Sequence, residues 1–147
     1  MIIKDAHTRE QRPDGYVLAV CCDGSKQALK AVTMLCEVRG PKDKIQVIIC
    51  EQANIDTAKI KQTVNDHLEE MNCLEYANID ILKSEYGKKV KDIIREHITV
   101  HCSMDIDFIF VGNNGADFSG SKESYLGSVA NEIIRHTRLN TVFISQK

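Results

Sequence analysis

DIDFIFVGNNGADFSGSKESYLGSVANEIIRHTR, the stretch from Asp105 to Arg138, contains a short apolar run, a glycine-rich segment and a helical pattern. The apolar run at 106–111 is nearly continuous, which is typical of a strand buried on both faces of a parallel sheet. Ser128 then stands where a helix N-cap would stand, ahead of apolar residues at helical spacing. The segment between the strand and this helix is punctuated by four glycines, Gly112, Gly115, Gly120 and Gly127.

A strand, a glycine-rich loop and a helix N-terminus form a common phosphate-binding arrangement in α/β proteins. Glycine allows the backbone to come close to an anion, and the first helical turn offers unpaired N–H groups. The pattern therefore predicts an anion-binding loop that uses Gly112, Gly115, Gly127 and Ser128. A tight turn and an ordinary helix cap need the same residues and remain the alternative. Lys122 is more simply a solvated loop residue than a phosphate ligand.

The rest of the chain alternates between strand and helix patterns. Ser25 is expected to cap the first helix, which Gly40-Pro41 ends. The other apolar runs predict strands at 16–22, 45–50, 79–83 and 141–145. Helical stripes run from Ala28 to Cys36, from Ile60 to Leu74 and from about Lys88 to His101. The third strand alternates with polar residues, which indicates a position near a sheet edge.

Five strands that alternate with four helices predict a doubly wound parallel sheet with helices on both faces. In the most common order the chain returns to place strand four beside strand one, and ligands bind at that switch point. The carboxyl ends that meet there are Asp23-Gly24-Ser25 and the glycine loop after residue 111. Asp23 is thus predicted to contact a ligand, with a helix-capping role as its alternative.

Composition narrows the class of protein. The chain has 147 residues, which suits one domain, here residues 15–147 after an N-terminal extension at 1–14. A net charge of −2 argues against a nucleic-acid partner, and no apolar run has the length of a membrane span. The six cysteines form no C-x-x-C, so free thiols in the cytoplasm are expected. The neighbours Cys21 and Cys22 should point to opposite faces of their strand.

The order G-x-x-G, spacer, G-S at a helix start resembles the ATP-binding signature of the universal stress protein family. Gly112, Gly115, Gly127 and Ser128 fall on the signature positions, and Val129 follows them. The spacer from Ala116 to Leu126 is two residues longer than usual in the family. The resemblance extends over roughly residues 16–147, with VLAVCCDGS similar to the family's first strand and Gly87 at a family glycine.

This resemblance implies a single-domain, Rossmann-like fold of the adenine nucleotide alpha hydrolase type that binds ATP, with Mg²⁺ beside the triphosphate. It places Asp23, Gly24 and Ser25 at the nucleoside half, and Cys50 where backbone groups hold the adenine edge. It also agrees with a homodimer through the last strand, Thr141 to Ser145, because an apolar edge strand needs a cover. The implied function is a nucleotide-dependent regulator or sensor in the stress response.

The sequence gives less support to other functional sites. GADFSGSK at 115–122 narrowly misses the P-loop pattern, because Ser121 displaces the lysine by one position. Asp105 and Asp107 precede the fourth strand, at the end away from the switch point, and His97 and His101 favour packing over zinc binding. Any ATP hydrolysis should be slow, since no general base accompanies the loop. An interaction module without nucleotide is the main alternative, and an adenylyl-transferring enzyme ranks last.

Overall fold

The structure is a computed structural model that describes residues 14–101, 106–112 and 128–144. Strands and helices alternate along the chain, as the sequence predicts. The strands are β1 (Val17–Cys22), β2 (Lys44–Cys50), β3 (Ala77–Leu82), β4 (Phe108–Gly112) and β5 (Asn140–Ile144). The helices are α1 (Lys26–Val38), α2 (Thr57–Glu70), α3 (Val90–Glu96) and α4 (Ser128–His136).

All five strands form one parallel sheet in the order β3-β2-β1-β4-β5. The chain therefore grows outwards from β1 through β2 to β3, and then returns to add β4 on the other side of β1. This confirms the predicted doubly wound fold, with its switch point between β1 and β4. It also confirms that β3 lies at an edge, and it places β5 at the opposite edge.

The pleat of the central strands divides the core into two layers. Leu18, Val20 and Cys22 of β1 join the core that packs against α1 and α2. Ala19 and Cys21 face the other side of the sheet, where the core includes residues of α3 and α4. The two neighbouring cysteines thus point to opposite faces, as successive residues of a strand must.

Helix α2 ends before its apolar stripe does. Asn72 has a left-handed backbone with φ of 56°, and its N–H donates to the carbonyl of Glu69 at 3.0 Å. The next N–H, of Cys73, donates to the carbonyl of Leu68 at 2.8 Å. This Schellman motif ends the helix, so the predicted continuation to Leu74 is wrong. Leu74 lies exposed in a short 3₁₀ turn, Leu74–Tyr76.

Helix α3 is also shorter than the predicted span from Lys88 to His101. Its α-helical part is Val90–Glu96, and a π-helical turn, His97–His101, follows it. The N-terminal extension predicted at 1–14 lies outside the described residues except for Asp14. Among the described helices, none combines the length and apolar character that crossing a membrane requires.

Candidate functional site

The switch point brings the end of β1 beside the end of β4. The two strands pair directly, with Val20 opposite Phe110, and the chain leaves them at Asp23 and Gly112. Seven residues that the sequence analysis assigned to the site are described, namely Asp23, Gly24, Ser25, Cys50, Gly112, Ser128 and Val129. Gly115, Gly127 and Lys122 lie outside the described residues.

The turn after β1 is fixed by its own hydrogen bonds. The Asp23 carboxylate accepts the N–H of Ser25 at 2.9 Å, and the Ser25 hydroxyl accepts the N–H of Ala28 at 3.2 Å. Ser25 is therefore the N-cap of α1, as predicted. Gly24 between them has φ of +84°, a backbone conformation that favours glycine. These contacts hold the Asp23 carboxylate in a defined position at the carboxyl end of β1.

A cavity of about 390 Å³ opens beside this turn. Its walls come from the end of β1, the start of α1 and the segment from Asn54 into α2. The apolar wall residues are Cys22, Ala28, Leu29, Ile55, Ile60 and Val64, and the polar ones are Asp23, Asn54, Asp56, Lys59 and Thr63; Gly24 completes the lining. An apolar cavity with a few polar groups on its rim suits a small organic ligand.

The β2–α2 side of this cavity was not predicted as part of the site. Asp56 is the N-cap of α2, and its carboxylate accepts the N–H of Lys59 at 3.1 Å. A Cβ added to Gly24 would lie 3.2 Å from Cγ1 of Ile60, so the turn after β1 packs closely on α2. The available signal was the position of this loop, because it follows the carboxyl end of a strand next to the switch point.

Gly112 is required for close packing between β4 and α1. A Cβ at this position would lie 2.9 Å from the Cβ of Gln27 and 3.3 Å from its carbonyl carbon. Real side chains do not approach so closely, so the end of β4 can lie against the first turn of α1 only with glycine here. The structure thus gives Gly112 a packing role in addition to the predicted ligand role.

Cys50 and Val129 meet on the opposite side of the sheet from the cavity. The Cys50 side chain is buried with Ile48, Ile93 and Ile94, and Val129 packs against this group. Burial raises the pKa of the Cys50 thiol. The next backbone N–H, of Glu51, donates to the carbonyl of Leu82 at 2.8 Å. The Cys50 side chain therefore belongs to the core, which leaves its backbone as the part that can contact a ligand.

A buried carboxylate ties α4 to α3. The Glu132 side chain is 8% exposed, and it lies 2.8 Å from Nη1 of Arg95 and 3.4 Å from Nζ of Lys91. Both cations belong to α3 and remain partly exposed, so neither charge is fully desolvated. This pairing fixes the orientation of the helix that begins at Ser128. The sequence analysis did not identify it, because the two helices are far apart in the chain.

Residues that the sequence analysis set aside have structural partners. The buried Asp107 accepts the N–H of Val17 at 2.9 Å, at the amino end of β1. His97 contacts Asp80 of β3, with 3.0 Å between Nε2 and Oδ2. Within the described ranges, no three His, Cys, Asp or Glu side chains are grouped so that they could hold a metal ion.

Comparisons with known proteins show which structures share this fold. No protein-family model matches the sequence, and no curated protein matches it. Solved structures do match. A universal stress protein in complex with cAMP has a TM-score of 0.68 and 17% identity, over 91% of this chain and 99% of that one.

Two further structures agree with this result. A universal stress protein family member from Burkholderia pseudomallei has a TM-score of 0.57 and 13% identity, over 91% of this chain and 98% of its own. A protein from Mycobacterium tuberculosis has a TM-score of 0.55 and 18% identity, over 93% of this chain and 100% of its own. The chain therefore has the fold of universal stress proteins, as its sequence resemblance implied.

Proposed function

We propose that the chain is a universal stress protein that binds an adenine nucleotide, with ATP as the leading ligand, and acts as a regulator or sensor in the cytoplasm. The observation that carries the proposal is the cavity beside the carboxyl end of β1. It is lined by Asp23 and Gly24 of the turn after β1, by α1 and by the segment from Asn54 into α2, and this turn lies at the strand ends where doubly wound folds bind ligands. The glycine-serine signature follows the neighbouring strand in the sequence.

The two halves of the nucleotide would bind to different elements. The nucleoside would enter the cavity, where Asp23 offers a carboxylate to ribose hydroxyls and the apolar walls cover the base. The phosphates would contact the loop from Gly112 to Gly127 and the N–H groups at the start of α4. Both ATP and cAMP have these two halves, and a structural neighbour was solved with cAMP. cAMP is therefore the second ligand to test.

Magnesium would enter with the triphosphate rather than bind to a site of its own. Mg²⁺ is commonly bound through one or two carboxylates together with substrate phosphates. The nearest acidic groups on the cavity wall, Asp23 and Asp56, each accept a backbone N–H. We propose that any ATP hydrolysis is slow, because the sequence indicates no general base beside the glycine-rich loop.

Nucleotide binding should stabilise the folded chain. At a ligand concentration about 100 times Kd, the expected stabilisation is about 2.7 kcal/mol. For a chain of this size this corresponds to a rise in Tm of roughly 5–10 °C. ATP with Mg²⁺ should raise Tm more than adenosine does, since only ATP reaches the phosphate loop. A thermal-shift titration that includes cAMP tests this, and no response to millimolar ATP or cAMP would refute the proposal.

We also propose that the chain forms a homodimer through β5. This strand ends the described chain at one edge of the sheet, and the outer side of an edge strand is a template for a symmetric partner. Light scattering at tens of micromolar should therefore give twice the monomer mass of 16.5 kDa. A monomer mass for the unaltered chain contradicts the dimer.

A protein interaction module without nucleotide is the second candidate. Three contacts favour it, because they give the candidate ligand groups a structural use. Asp23 accepts the N–H of Ser25, Glu51 donates its N–H to Leu82, and Gly112 packs on α1. The thermal-shift titration separates the two candidates, since an interaction module would show no nucleotide response.

A further inference from the structure

Each oxygen of the buried Glu132 carboxylate faces its own cation. Oε1 lies 2.8 Å from Nη1 of Arg95, and Oε2 lies 3.4 Å from Nζ of Lys91. The two cations are four residues apart on α3, so they lie on one face of that helix. We call these three residues the Glu132 cluster. Because both oxygens are paired, the cluster restrains the rotation of α4 as well as its distance from α3.

The Glu132 cluster lies close to the end of α4 where the phosphates are proposed to bind. Glu132 follows Ser128, the first residue of α4, by four positions, which is about one helical turn. Val129 and Ala130 in the same turn pack into the apolar core, and such contacts are non-directional. The cluster thus adds a directional contact to the packing of this end of the helix.

We infer that the Glu132 cluster positions the N-terminus of α4 for phosphate, so that Arg95 and Lys91 set the affinity for the phosphate half of the ligand. This inference rests on the proposed function, in which phosphates contact the N–H groups at the start of α4. Those groups favour an anion only at the first turn, because the effect of the helix dipole falls off beyond it. A tilt or rotation of α4 should therefore weaken phosphate binding and leave the nucleoside half unchanged.

The charge of Glu132 by itself works against phosphate. A carboxylate about one turn from the start of α4 repels an anion bound there, and its pairing with Arg95 and Lys91 offsets this repulsion. The two effects of Glu132 on ATP binding therefore have opposite signs. In Glu132→Ala, ATP should bind more weakly because α4 loses its anchor. A role through charge alone would instead make ATP bind more tightly.

Calorimetry with ATP and with adenosine on the full chain tests the inference. Arg95→Ala should weaken ATP binding by roughly two- to thirtyfold, the range that a helix N-terminus contributes to anion binding, and it should leave adenosine unchanged. Arg95→Lys keeps a cation at this position, so it should bind ATP more tightly than Arg95→Ala does. Arg135→Ala is the matched control, since it removes an exposed cation from α4 and should change neither affinity.

Hydrogen exchange of the chain without ligand gives a second measurement. Amides at the start of α4 should exchange faster in Arg95→Ala than in the unaltered chain, while those of β1 should not change. Arg95 is 37% exposed, so this variant should fold even if Glu132→Ala does not, and circular dichroism checks both.

Three results would overturn the inference while the proposed function stands. They are unchanged exchange at the start of α4 in Arg95→Ala, an equal loss of ATP and adenosine affinity in that variant, and tighter ATP binding in Glu132→Ala. If the unaltered chain binds neither ATP nor adenosine, the proposed function fails, and this inference fails with it.

Discussion

Gly15→Ala should destabilise the fold by about 2–5 kcal/mol, the largest stability loss that we expect from a single added methyl group. Gly15 has φ of +86°, and a Cβ there would overlap the carbonyl oxygen of Lys42 and lie 2.9 Å from the N atom of Asp43. A left-handed backbone costs a non-glycine residue about 1–2 kcal/mol. Overpacking against backbone adds roughly 1–3 kcal/mol.

The contact matters because this region joins the starts of β1 and β2. The Asp43 carboxylate accepts the N–H of Tyr16 at 2.8 Å and the N–H of Gly40 at 2.7 Å. The N–H of Lys44 donates to the carbonyl of Tyr16 at 2.8 Å. A methyl group on Gly15 would push the loop away and break these bonds. The substitution should therefore destabilise the pairing of β1 with β2.

Gly87→Ala is the matched control for this substitution. Gly87 has a similar φ of +79°, but a Cβ there would meet nothing within 4 Å. Only the conformational cost of about 1–2 kcal/mol applies. Urea unfolding measures the loss of stability in both variants, and the difference between the two losses is the cost of overpacking at Gly15. Equal losses would show that the loop at Lys42 moves aside at no cost.

The sequence predicts the sheet because its signals are local and mutually consistent. Four strands are short apolar runs, the third alternates with polar residues as an edge strand does, and the first helix has a cap at Ser25 and a stop at Gly40. The most common order for five such strands then places the reversal between β1 and β4, next to the glycine-rich segment. The alternation of Cys21 and Cys22 between two cores follows from strand geometry alone.

The cavity could not be predicted in the same way, because its walls depend on tertiary packing. Asp56 is a helix N-cap, and Asn54 and Lys59 belong to no motif. All three reach the cavity only because α2 packs against the turn after β1. The end of α2 was missed for a related reason. The apolar spacing continues to Leu74, but a left-handed Asn72 ends the helix, and asparagine is a weaker stop signal than glycine.

Asp23→Ala should weaken the binding of ATP and adenosine by the same factor, about ten- to a hundredfold. If the nucleoside occupies the cavity, this change removes a hydrogen-bond acceptor from the half that both ligands share. An uncompensated hydrogen bond costs roughly 1–3 kcal/mol, which converts to that range of affinity. Calorimetry with both ligands measures the effect, provided that circular dichroism shows a folded variant.

Two controls separate ligand binding from the structural role of this carboxylate. Asp23→Asn keeps an oxygen that can accept the Ser25 N–H, so it should preserve the turn while it removes the charge. Asp66→Ala makes the same charge change on the exposed face of α2, where Asp66 pairs with Gln62 at 2.7 Å. It should leave both affinities unchanged. If Asp23→Ala loses stability but not affinity, and Asp23→Asn keeps the stability of the unaltered chain, then Asp23 has a capping role alone.

Gly127→Val completes the comparison at the phosphate half. Gly127 precedes α4, whose N-terminus should favour an anion by about 0.3–2 kcal/mol. A bulky side chain there should crowd the phosphates and weaken ATP much more than adenosine, whereas Asp23→Ala weakens both alike. This contrast requires one ligand to span β1 and the start of α4. If Asp23→Ala leaves both affinities unchanged, β1 does not line the nucleotide site, and the ligand lies elsewhere on the sheet edge.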